Sequence, residues 1–323
     1  HVQPRVPLWG RYDDRDPVAV ERRIALCRDH GVDGWIYGFF WCRGKRVFQD
    51  ALDLGFLGSP SGGAGYPFAL MWANRMPRRV LPVRRTDTPV IEDDRLVPAD
   101  VDDFVAFVRY LAERYFVRGN YLRVDGRAYL SIFDSTHFVK ELGRDGARLA
   151  IARARAMLAS AGLPPMYLTA IEPSAEVIGA VAELGFDAVT NYVLLPDWKG
   201  EFLQDYDARV AVRVAEWPTI AARAGLPYHP AVTPGWDASP RGADFGPARP
   251  DKYPWSPVVV GEHPARFRAA VAQAVAYARA TGRPVDQQLV LVASLNEWSE
   301  GHYLEPDTRF GTGWIEAVRD GRA

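Results

Sequence analysis

The densest run of chemistry-bearing residues is Leu295–Glu305, LNEWSEGHYLE. Glu297 and Glu300 stand three positions apart in it. If that turn is helical, side chains at this spacing point the same way, with Cβ atoms about 5–6 Å apart. Retaining glycoside hydrolysis uses two carboxyl groups about 5–5.5 Å apart. Two like charges that close cannot both ionise freely, so one is pushed toward a protonated, acid-competent state. Trp298, between them, can desolvate one carboxyl or stack on a sugar ring. Asn296, His302 and Glu305 add hydrogen-bonding groups to the same run. A bare ExxE is more often an ordinary surface turn. This one follows directly on Gln288–Ser294 (QLVLVAS), the strongest candidate strand in the chain.

Other polar and aromatic residues also fall where short apolar runs end. Tyr37 and Trp41 close one run, and Trp72 and Asn74 the next. Asp134 follows Phe133, Glu172 follows Ile171, and Asn191 and Tyr192 follow Thr190. Trp236, Asp237 and Arg241 come after the run that starts at His229. Any one of these, Asp134 or Glu172 for example, reads first as a helix cap or loop residue. As a set they describe a polar cleft. Sugars offer many hydroxyls and apolar ring faces, which carboxylates, amides and stacked Trp or Tyr recognise. Trp35 and Trp217 read as core, while Trp72 reads equally as core or cleft.

The elements that must position these groups alternate. A helix begins at Asp16-Pro17, a cap with Pro in the first turn, and stops near Gly31. Gly34–Phe40, Tyr66–Trp72, Ala128–Phe133, Met166–Ile171, Phe186–Thr190, His229–Val232 and Gln288–Ser294 read as strands. Helical spacing is expected over about Ala99–Phe116, Gly146–Ala161, Ser174–Leu184, Tyr206–Ala224 and His263–Ala280. Continuous apolar strands with crossover helices predict a parallel sheet buried on both faces. The repetition predicts an α/β fold, a (β/α)8 TIM-type barrel, in which function sits at the strand ends. One strand is missing, and Val2–Pro7 reads as a loop. The expectation is a single barrel domain over 1–323 whose first strand lies upstream of residue 1, an N-terminal truncation. The loops Gly55–Gly65 and Pro234–Pro257 stand out, and the second is long enough to be a lid.

Composition narrows the classes. With 48% hydrophobic and 24% charged residues among 323, the chain is an ordinary globular protein rather than a disordered or fibrous one. A net charge of -1 gives no global pull toward nucleic acid, and no apolar run is long enough for membrane insertion. Cys27 and Cys42 do not make a disulfide scaffold and read as buried small hydrophobes. That favours a reducing, cytoplasmic compartment, although residue 1 is His and a lost signal peptide stays open. The scattered histidines form no HExxH, and no CxxC occurs, so no metal is expected. Oligomeric state is not legible.

LNEWSEGHYLEPD and FGTGWIEAVR resemble the C-terminal signature of WbsX-type proteins, relatives of glycoside hydrolase family 99. His1–Pro7, Tyr12–Pro17, Asp33–Arg46 (DGWIYGFFWCRGKR), Met71–Asn74 (MWAN), Tyr121–Leu130 and Val232–Arg241 match further blocks in order along nearly the whole chain. The resemblance implies a (β/α)8 fold with one strand before His1, and an oligosaccharide or polysaccharide ligand. It also implies retaining chemistry on an α-linked, mannose-like glycan. Carried over by position, Glu297 helps the sugar's own 2-hydroxyl attack the anomeric carbon, and Glu300 is general acid, then base. WbsX-type proteins are often labelled glycosyltransferases of O-antigen or other bacterial surface polysaccharide assembly. One departure stands out: the family commonly continues Trp-Ala-Asn with Glu-Asn-Trp, and here Arg75-Met76-Pro77 follows Asn74.

Three functions therefore compete: a retaining hydrolase, a transferase or transglycosylase using the same site, and a non-catalytic glycan-binding barrel. No nucleotide or redox cofactor is signalled. There is no GxGxxG on a strand–helix turn, and Asp13-Asp14 and Asp93-Asp94 read as solvated loop charges.

Overall fold

The computed structural model describes residues 5–74, 99–193, 196–245 and 251–323. Helix α1 (Pro17–Asp29) begins as expected, with Asp16 accepting from the Val18 N–H, and the chain leaves it through Gly31 at φ +74°. Strand β1 (Trp35–Cys42) folds back on β2 (Lys45–Val47). The Gly/Ser/Pro-rich stretch forms the short helix α2 (Pro60–Ala64) before β3 (Phe68–Trp72). Helix α3 (Val101–Leu111) buries Phe104, Phe107, Val108 and Leu111, the apolar stripe its spacing predicts. Strands β4 (Arg123–Val124) and β5 (Arg127–Ile132) pair as a hairpin. Helix α4 (Ser135–Ser160) starts well before the expected Gly146. Asp134 caps it from the His137 N–H, and Gly143, at φ +66°, breaks it into two stretches.

Strand β6 (Met166–Ile171) is buried at every residue. The helix expected from Ser174 shrinks to α5 (Val181–Leu184), because turns and a 3-10 segment take up the earlier residues. After β7 (Ala188–Thr190) and β8 (Leu203–Asp205), α6 (Tyr206–Ala224) runs over its expected span to Gly225. Strands β9 (Tyr228–His229) and β10 (Ala231–Val232) are one segment interrupted at Pro230, which has no N–H to give but accepts from Leu291. Then come β11 (Val258–Val260), α7 (Pro264–Ala280), β12 (Leu291–Val292), β13 (Asn296–Glu297), β14 (His302–Tyr303) and α8 (Gly313–Arg322).

The parallel neighbours β1, β3, β5, β6, β7 and β9 follow chain order, and β10 continues that order to β12. This is the singly wound β/α order of a barrel; a doubly wound sheet reverses its order part-way. Among the described residues no ladder joins β12 back to β1, so the sheet is an open arc. That explains one corrected expectation. Gln288–Ser294 read as the strongest strand, yet its ladder is two residues long and Leu291 and Val292 are only half-buried. Apolar content favours a strand, but ladder length depends on partners, and β12 has a parallel partner on one side only among the described residues. Trp35 and Trp217 are core, as expected. Cys27 is buried, its thiol pushed up to about 12 by burial, while Cys42 is half-buried. No helix among the described residues is long and apolar enough to cross a membrane.

Candidate active site

The acidic run folds as a hairpin rather than a helix. Asn296 pairs with Tyr303 and Glu297 with His302 in antiparallel register, and Trp298–Glu300 make a single 3-10 turn between them. Glu297 stands just before the turn at ψ 65°, and a single guanidinium reaches both its carboxylate and that of Glu300, so the two still share a side. Gly301 closes the turn at φ +72°, where the Asp237 N–H donates to the Glu300 carbonyl at 2.8 Å. A Cβ at Gly301 would lie 2.9 Å from the Asp237 nitrogen. The tightness of the hairpin therefore requires glycine twice over.

Arg241 joins the two carboxylates. It stands on a 3-10 segment, Ser239–Phe245, in the long loop after β10. Its Nη2 donates to Glu297 Oε1 at 2.6 Å, its Nη1 to Glu300 Oε1 at 2.5 Å and its Nε to Ser299 Oγ at 2.9 Å. Tyr253, from the same loop, donates to Glu300 Oε1 at 2.9 Å. His302 is fully buried, lies flat on Trp236 and sets Nε2 at 3.2 Å from Glu300 Oε2. Facing an ionised carboxylate, that nitrogen carries the proton. Burial pushes the Glu300 carboxyl up, but the His302 hydrogen bond, the Arg241 charge and Tyr253 outweigh it, and the net shift is downward. Burial lowers Arg241, and the two glutamates more than reverse that. Burial and the Glu300 charge push the Tyr253 phenol up to about 12. The expected push of one carboxyl toward a protonated state is thus answered by a shared cation.

A second polar cluster lies beside the first. Glu305, 2% exposed, accepts at Oε2 from Tyr12 (2.6 Å) and from the Trp298 indole (2.7 Å). Asn296 donates to Tyr12, and Trp298 stacks on Tyr303 with ring centroids 3.7 Å apart. Burial raises the Glu305 carboxyl, and the bonds from Tyr12 and Trp298 only partly offset it. Asp237 is taken up by Arg5 at 3.0 Å, which also holds Glu262, so it braces the Arg241 segment.

Glu297, Glu300, Arg241 and His302 meet in one cluster, with Trp236 and Tyr192 packed on His302. Other candidates do not reach it. Trp72 is buried against Phe104, Phe107 and Phe138 and is core. Trp41 is also buried, donating to Asp103. Tyr37 packs on Trp35 and Phe56. Asn74, 1% exposed, exchanges hydrogen bonds with the Asp134 backbone, and the Asp134 carboxylate caps α4, so both stitch strand ends together. Asn191 accepts from buried Tyr228. Glu172 is exposed at the end of β6, with a left-handed backbone at φ +45°. Arg75–Pro77 and Asp93-Asp94 lie outside the described residues. Sequence reasoning passed over Arg5, Tyr12, Tyr253 and Ser299. Tyr253 had one signal, its place in the lid-length loop. Arg5 and Tyr12 had only their place in the family-like blocks His1–Pro7 and Tyr12–Pro17, since their partners lie 232 and 293 residues away.

An arc of parallel β/α units with its acidic turn after the last strand defines a protein of the (β/α)8 barrel class, and solved structures agree. A "glycoside hydrolase-like protein" superposes at TM-score 0.66 and 15% identity, covering 98% of this chain and 89% of the other. The GH99 endo-alpha-mannosidase from Bacteroides thetaiotaomicron superposes at 0.60 and 13% identity, with 98% and 81% covered. At these identities the likeness is one of fold. The chain belongs to the family Glycosyltransferase WbsX, whose pattern spans residues 1–318. The uncharacterized protein WxcX of Xanthomonas campestris pv. campestris is 26% identical over 335 residues, covering 99% of this chain. The chain spans 43% of the length of the curated relatives it matches.

Proposed function

We propose that this chain is a carbohydrate-active enzyme acting on an α-linked, mannose-like glycan with Glu297 and Glu300 as its reacting carboxyl groups. The observation that carries this is the presentation of both side chains at the tip of one hairpin, tied by Arg241. The fold shared with an endo-alpha-mannosidase and the family membership support it. In the retaining course, the Glu297 carboxylate takes the proton of the sugar 2-hydroxyl as that oxygen bonds to the anomeric carbon. The bond to the leaving oxygen breaks as the proton of Glu300 moves to it. Water then gives a proton to Glu300 and attacks the same carbon as its bond to O2 breaks, and O2 recovers its proton from Glu297. For the first step Glu300 must hold a proton, so Arg241 has to withdraw from it as the substrate enters.

One observation favours a second reading, glycosyl transfer. In the arrangement described, Arg241, His302 and Tyr253 keep Glu300 ionised. An alkoxide leaving group needs a proton, whereas a phosphate leaving group departs without one. A glycosyl phosphate or lipid-linked donor would therefore suit an ionised Glu300, which could act as base toward the acceptor hydroxyl.

NMR of products from α-mannan and bacterial surface oligosaccharides, with and without acceptor sugars, separates the readings. Hydrolysis with retained configuration, lost in Glu297→Gln and Glu300→Gln while the fold persists, is the expected result. Longer chains with little hydrolysis move the protein to the transferase class. Full activity in either variant refutes the two-glutamate assignment. Saturable binding without turnover makes the chain a glycan-binding barrel.

A further inference from the structure

Trp198 is the one tryptophan among the large apolar side chains left exposed in the described residues, 54% open to solvent. A ring of that size is usually well buried. It is not on a loose loop. The turn that carries it is closed by Gln204, a buried residue of β8, which accepts from the Asp197 N–H and donates to the carbonyls of Asp197 and Glu201. The ring is edge-on to Trp236 at 5.3 Å and lies 6.4 Å from Tyr253, itself 43% exposed. Both neighbours lead to the same atom group: Trp236 is stacked on His302, and both His302 and Tyr253 are hydrogen-bonded to Glu300. Phe202, Leu203 and Val260 are exposed along the adjoining β8–β11 ribbon. The open face of Trp198 therefore leads through half-exposed Tyr253 to Glu300, over the buried Trp236 and His302 rings.

We infer that Trp198 and Tyr253 form a stacking subsite for a pyranose ring of the glycan, beside the unit that meets Glu297 and Glu300. An exposed aromatic face held rigidly at the rim of a polar cluster suits the C–H face of a sugar, while Asp197 and Lys199 flank it with groups for the ring hydroxyls. The site then binds at least two sugar units at once, and affinity must grow with chain length. The inference rests on the glycan reading above.

The test is calorimetric titration of the whole chain with mannose and its α-linked oligosaccharides of two and three units. Glu297→Gln is the parent, so that ligand is not consumed, and Trp198→Ala and Trp198→Phe are made in it. Losing one aromatic stacking contact should weaken the oligosaccharides about fivefold to tenfold and leave the monosaccharide nearly unchanged. Trp198→Phe should recover most of that loss. If the parent binds but Trp198→Ala matches it at every length, the subsite is refuted and the glycan reading stands. If the parent binds none of the sugars, the glycan reading falls and the subsite with it.

Discussion

Replacing Arg241 with Met removes the cation that Glu297 and Glu300 share, and its effect can be worked out from the contacts. With charge centres about 4 Å apart and an effective dielectric of about 20, the Arg241 charge is worth about 4 kcal/mol to an ionised Glu300. The bonds from Tyr253 and His302 persist in the variant, and solvent enters beside half-open Glu297, so roughly 2 kcal/mol is a realistic loss, about a thirtyfold gain in proton affinity. The two carboxylates would also face each other as like charges, which acts in the same direction. The assay is a carboxyl-carbon NMR titration, with Glu300 assigned by its disappearance in Glu300→Gln and folding checked by circular dichroism. In the wild type Glu300 lies below its usual 4.5, so its contribution to stability is full above that pH and is lost as pH falls through the folded-state value. In Arg241→Met the titration should move to higher pH, and the acid-side loss of stability, which spans the interval from 4.5 down to the folded-state value, should shrink, with Arg241→Lys falling between. A Glu300 titration unmoved or lowered in Arg241→Met would refute the claim that this arginine sets the proton affinity.

Two further outcomes follow from single positions. Gly301→Ala forces a left-handed φ on a residue with a Cβ and sets that Cβ against the Asp237 backbone, so it should cost more than about 1 kcal/mol in urea unfolding; a neutral result would mean the hairpin can open freely. Burial holds His229 down to about 4 against an ordinary 6.5, so below pH 6.5 the unfolded chain takes a proton that the folded chain refuses. Stability should then fall between pH 6.5 and 4 by up to about 3 kcal/mol, and His229→Gln should flatten that fall in urea melts; an unchanged slope counts against it.

The strands and most helices could be read because each is specified by its own residues. The Asp16-Pro17 cap, the Gly225 stop and the buried run of β6 are local signals. The acid pair was legible for the same reason, since spacing and place carried it. What spacing could not show was the shape of the turn. A three-residue interval fits a 3-10 hairpin as well as a helix, and Gly301 together with the pairing of Glu297 and His302 decides it. The strand-end reading was blind to packing. Trp72, Trp41 and Asn74 end their strands yet are covered by α3, the α3 stripe and the Asp134 backbone. Arg241 was named as a sugar ligand, whereas its present contacts are the two glutamates, and no local pattern announces a partner nearly sixty residues on.

The acid turn is also tied to the other end of the sequence. Arg5 holds Asp237, Tyr12 holds Glu305, and the backbones of Leu8 and Val6 bond to Pro306 and Thr308. During synthesis, at about 5–20 residues per second, the segment around Tyr12 leaves the ribosome roughly 15–60 seconds before Glu305 does. For that interval β1, β3 and β5 have neighbours to pair with, but Arg5 and Tyr12 lack the carboxylates they hold in the finished fold. Contacts of such separation form late and slowly. The two glutamates therefore gain their geometry only once residues 296–307 have emerged and closed on a segment made about 293 residues earlier, and a nascent chain carries most of its strands well before it carries this carboxylate pair in its final setting.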